Sequence, residues 1–102
     1  YCLDFAHLYC SSNFNGLDFL QEVLSFGALP VRLHHLSSCS AGSVKDQHLP
    51  LDHPDAGLPL GPVIRRIRTH PDIPTSLEYK RDSRFYLEQL AFLEKVLVNC
   101  PW

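Results

Sequence analysis

Three short strand-like runs, each followed by a helix-like run, constrain this chain more than any other feature. Tyr1-Cys2-Leu3-Asp4 reads as the end of a buried strand. Residues 16–26 follow it with Leu17, Leu20, Val23 and Leu24 at helical spacing, and Gly27 is a stop signal. Pro30-Val31-Arg32-Leu33-His34-His35-Leu36 reads as a second strand. After a long polar stretch, a short helix is expected over 62–69, with Pro62 in its first turn and Val63, Ile64 and Ile67 as its apolar face. His70-Pro71-Asp72-Ile73-Pro74 is a connector, and Pro74-Thr75-Ser76-Leu77-Glu78-Tyr79 reads as the third strand. A last helix is expected over 83–98, capped by Asp82 or Ser83, striped by Tyr86, Leu90, Leu93 and Leu97, and ended by Pro101. Strands alternating with helices predict an α/β fold with a parallel sheet.

The 102 residues divide into three βα units of about 34 residues each. A (β/α)8 barrel of roughly 250 residues is built from units of about 31. Three consecutive units are therefore expected to be part of such a barrel or half of a doubly wound sheet. The whole chain, 1–102, reads as a single partial domain. Closed barrels have no edges, whereas three parallel strands leave two open ones. The chain has no Met, even at position 1, and opens directly on an apolar run, so it reads as a fragment or a processed chain.

Composition narrows the class further. Hydrophobic residues make up 45% and charged residues 20%, which argues against disorder. No apolar run approaches the roughly 20 residues of a membrane helix, so no membrane partner is expected. No secretory leader is visible, and an intracellular location is expected. A net charge of −2 creates no global basic field. Cys2, Cys10, Cys39 and Cys100 form no CxxC pair; a disulfide framework stays open, but buried thiols in a reducing compartment are favoured.

Polar residues fall at particular places. Asp4 and His7 follow strand one. His34 and His35 end strand two, Asp46 and His48 lie in the loop over 37–60, and Glu78 ends strand three. This is the C-terminal face, where α/β proteins carry their sites. Loops of that length in compact domains are usually functional or disordered. Asp, Glu and neutral His are zinc ligands, and the same mixture suits manganese or iron. Asp46-x-His48 places two ligands on one side of an extended segment. Each residue also has an ordinary reading: Asp4 as a helix cap, His48 as a solvated loop residue, Glu78 as a partner of Arg32 or Arg81.

Four segments resemble the endonuclease IV family, in the same order. Leu3-Asp4-Phe5-Ala6-His7-Leu8 resembles its "LDTCH" strand end, and His35-Leu36-Ser37-Ser38 its "HLNDS" segment. Gly42-Ser43-Val44-Lys45-Asp46-Gln47-His48 is similar to its "GSRVDRH" loop, and Leu77-Glu78 to the glutamate of its "LETP" strand. The loop between Ser38 and Gly42 is shorter here. His35, rather than His34, matches because Leu-Ser-Ser follows it. The resemblance covers nearly the whole chain and implies the C-terminal part of a (β/α)8 barrel.

It further implies a zinc-dependent DNA repair endonuclease that hydrolyses phosphodiesters at abasic sites, using up to three zinc ions. Carried over residue by residue, His7, Asp46 and His48 match the complete ligand set of one zinc. Asp4, His35 and Glu78 match three ligands of a second, whose bridging glutamate belongs to an earlier strand. Barrel strands that precede these units would come from the same or another chain. Ser37, Ser38, Lys45, Gln47, Lys80 and Arg81 are the candidate phosphate contacts on DNA, while Arg65, Arg66 and Arg68 are expected to face water or a partner. Gln47 stands where the family has Arg, Ser37-Ser38 where it has Asn-Asp, and Tyr79-Lys80 where it has Thr-Pro. Two other readings stand beside this one. One is a xylose-isomerase-like sugar isomerase or epimerase, whose strand-end Glu, Asp and His also surround a divalent metal. The other is a catalytically inactive structural remnant.

Overall fold

A computed structural model describes residues 1–78 and 83–99. Its elements run β1 (Cys2–Asp4), α1 (Phe5–Asn15), α2 (Phe19–Ser25), a single 3-10 turn (Phe26–Ala28), β2 (Leu33–Leu36), α3 (Leu60–Thr69), β3 (Thr75–Leu77) and α4 (Ser83–Asn99). The sheet is parallel throughout, in the order β1-β2-β3. The expected α/β architecture with a parallel sheet is present.

The first helix differs from the expectation. The sequence places a helix over 16–26, yet α1 begins directly at Phe5. Asp4 starts it: its Oδ1 accepts the His7 backbone N–H at 3.0 Å, satisfying one of the free donors of the first turn. Gly16 ends it at φ 67°, a left-handed cap that glycine adopts without a Cβ clash. Ser, Asn and aromatic residues are poor helix formers, so α1 lacks a propensity signal. Burial of Phe5, Ala6, Tyr9 and Cys10 stabilises it instead. The apolar stripe expected over 16–26 is also corrected. Phe19 and Val23 of α2 are buried, whereas Leu17, Leu20 and Leu24 are exposed.

The strands alternate as parallel strands must. Leu3, His34 and Leu36 point to the face covered by helices and are essentially inaccessible. Cys2, Asp4, Leu33 and His35 lie on the other face, which is exposed or half-buried. The register pairs Asp4 with His35 and His35 with Ser76, so the strand ends line up. Glu78 extends this row, its N–H bonded to the Leu36 carbonyl at 3.1 Å.

α3 packs Val63 and Ile64 into the core, as its apolar pattern requires. Arg66 does not face water as expected. It is 5% exposed, and its Nε donates to His34 Nε2 at 3.2 Å. In α4, Leu90 is exposed, and Phe92 and Leu93 supply the apolar contact to the core. Gln89 is buried: its Oε1 accepts from Leu51 N and its Nε2 donates to Asp52 Oδ1, each at 2.7 Å. The expected Asp82 cap and Pro101 stop lie outside the described residues. Among the described residues, no helix is long and apolar enough to cross a membrane.

Candidate metal centre

Parallel strands pointing the same way deliver their terminal side chains to one place. Asp4 arrives from β1, His35 from β2 and Glu78 from the residue after β3. The register sets Asp4 beside His35, and His35 Nδ1 lies 3.2 Å from Glu78 Oε2. Ligand atoms of Asp4, His35 and Glu78 all lie within 4.8 Å of one another. His7 sits one turn into α1, on the helix that Asp4 caps. Asp46 comes from the long loop. Ligand atoms of Asp4, His7 and Asp46 also lie within 4.8 Å of one another.

Asp4 therefore belongs to both groups. A carboxylate has two oxygens and several lone pairs, so capping α1 leaves acceptor capacity for a cation. These oxygen and imidazole donors, on partly exposed side chains, could hold a metal ion. His48 stands apart from both groups: its Nε2 lies 3.3 Å from Asp46 Oδ2. His48 also has φ 50°, a left-handed conformation uncommon for a residue with a side chain. Comparison of the chain with family models, with curated proteins and with solved structures finds no match.

His34, the neighbour of His35, has a different role. It is 0% exposed, with its ring 5.3 Å from that of Phe5. Burial, together with the charges of Arg66 and His70, lowers its pKa to about 4, so it is neutral at pH 7. Arg66 donates to its Nε2, which leaves Nδ1 to carry the proton toward Thr75 Oγ1 at 3.4 Å. Cys2 shares the open face with Asp4. Burial, then the Asp4 and Glu78 carboxylates, push its thiol pKa up.

The long loop is held to α1 by side chains that belong to no motif. Tyr9 Oη accepts from Gly42 N at 2.8 Å, and Asn13 Nδ2 donates to Ser43 O at 2.8 Å. Cys10 Sγ lies 3.2 Å from Lys45 O and 3.7 Å from Cys39 Sγ. Burial raises both thiols, Cys39 to about 12, so they remain protonated at neutral pH. Cys2, Cys10 and Cys39 are free thiols. All these contacts join residues about 30 apart, which no local pattern reports.

The candidate phosphate contacts divide. Ser37 and Ser38 are buried, and Ser38 Oγ accepts from Leu58 N at 3.3 Å, so neither presents its hydroxyl to an approaching backbone. Gln47 Oε1 accepts from Ser40 N at 2.7 Å. Lys45 is exposed. Lys80 and Arg81 lie outside the described residues.

Proposed function

We propose that this chain carries part of the metal centre of a DNA repair endonuclease resembling endonuclease IV, cutting phosphodiesters at abasic sites. The observation that carries this reading is that two ligand groups share Asp4 at the C-terminal ends of parallel strands. Adjacent cation positions suit phosphodiester hydrolysis, where charge develops on both the attacking and the leaving oxygen. Asp4, His35 and Glu78 would hold one zinc ion, and His7 and Asp46 a second with Asp4. His48, 3.3 Å from Asp46, is the further ligand that the resemblance assigns to the latter. Manganese or iron suits the same donors. A bound divalent ion supplies Lewis acidity toward the phosphate.

The chain's own residues prepare that site. The α1 cap fixes one Asp4 oxygen, and the His35–Glu78 contact orients both side chains. The uncovered sheet face supports reading the fold as three consecutive units of a (β/α)8 barrel, since parallel sheets normally bury both faces. Further strands, on the same or another chain, would cover it.

The test is a nicking assay with the intact protein on duplex DNA bearing one abasic site. Cleavage with zinc, abolished by a chelator and restored by added zinc, is the expected result. A zinc-loaded protein that leaves the abasic duplex uncut contradicts the reading.

A further inference from the structure

We propose that Gln47 is a positioning residue, the clasp that holds the loop ligand Asp46 at the metal centre, with His48 beside it. This inference rests on the metal reading above. The side chain of Gln47 turns back across the loop, and its Oε1 accepts the Ser40 N–H at 2.7 Å.

The surrounding anchors show what this bond controls. On the N-terminal side, α1 fixes residues 42–45 through Tyr9, Asn13 and Cys10. On the C-terminal side, Leu49 exchanges backbone hydrogen bonds with Ser38 at 2.8 Å in both directions. Residues 46–48 span the gap between these anchors, and both loop ligands fall within it. Ser40 is a firm attachment point. It bridges Ala56, its carbonyl accepts from Ser43 N at 3.0 Å, and it follows the fully buried Cys39.

Asp46 and His48 flank Gln47 in the chain, so its bond to Ser40 restrains the backbone that carries both. The left-handed backbone of His48 strengthens the case. Such a conformation is uncommon for a residue with a side chain and persists where surrounding contacts hold it. Gln47 is the adjacent residue and supplies such a contact. Its amide oxygen is thus committed to the loop.

The test uses cobalt(II) as the probe, read by visible absorption, with hydrogen exchange at the Ser40 amide as a second readout. Gln47→Ala is expected to weaken cobalt binding about 10-fold, the usual scale for losing an orienting partner. It should also alter the absorption bands and speed exchange at Ser40. Gln47→Glu keeps the acceptor and is expected to restore all three. Thermal unfolding of each variant separates loss of the clasp from loss of the fold. A Gln47→Ala protein that binds cobalt with the parent's affinity and spectrum overturns the inference. A parent chain that binds no cobalt overturns the metal reading instead, and the positioning role with it.

Discussion

At the scale of single residues, Asp4 does the most with the fewest atoms. One oxygen starts α1, and the carboxylate joins two ligand groups. A strand-end Asp is commonly a cap, and here the capping side chain also lies in both groups that could hold a metal ion. Gly57 matters in a different way. A Cβ added there would lie 2.2 Å from the Ala41 backbone nitrogen, where real side chains do not fit. The Gly57 N–H is also bonded to the Cys39 carbonyl at 2.7 Å, so the two loop strands cannot simply part. Gly57→Ala is expected to cost about 1–3 kcal/mol, the range for overpacked interiors. A urea titration measures it, and an unchanged midpoint would contradict this packing of the loop.

At the scale of elements, two buried polar contacts hold the layers together. Gln89 ties α4 to the long loop at Leu51 and Asp52. Replacing it with Leu strands the Leu51 N–H, and a loss of about 1–3 kcal/mol is expected in denaturant unfolding. The second contact, Arg66 to His34, joins α3 to β2 and is pH-dependent. Above pH 6.5 His34 is neutral in both states and the fold carries no penalty. As pH falls toward about 4, the unfolded chain binds a proton that folded His34 refuses. Stability should therefore drop across that window by up to about 3 kcal/mol, following the shift from the ordinary value. His34→Gln should flatten the slope in metal-free denaturation curves taken between pH 4 and 6.5. An equally steep slope in the variant would remove His34 from the account. These contacts also show what could be read beforehand. The β2, β3 and α3 runs were legible because Val63, Ile64 and Leu36 follow the period of their elements. α1 was not, because Ser11, Ser12 and Asn13 hide its apolar face. Arg66 and Gln89 were not, because a buried polar side chain is decided by a partner tens of residues away. The convergence of Asp4, His35 and Glu78 was legible from their strand-end positions, whereas the separation of His48 from both groups was not. The clasp at Gln47 was not, since a glutamine in a polar loop carries no signal without Ser40 beside it.

At the scale of the whole molecule, one sheet face lies under helices and the other carries the candidate ligands in the open. Leu3, His34 and Leu36 are sealed on the first, while Cys2, Asp4, His35 and Ser76 are accessible to some degree on the second. Placing Asp4, His35 and Glu78 on the less covered face keeps them from burial among apolar groups, where unpaired charges are costly. It also brings residues of three separate βα units to one point, so the Asp4, His35 and Glu78 group depends on the sheet register. Isothermal titration with zinc of the parent chain and of Asp4→Asn tests whether Asp4 serves two metal positions. Asn keeps a side-chain oxygen for the α1 cap but loses the carboxylate charge, so the fold should persist. The parent is expected to bind two zinc ions, and the single substitution should weaken both by about 10-fold or more, because one residue serves both groups. A parent that binds no zinc, or a variant that binds two ions as tightly as the parent, would contradict a centre built on Asp4.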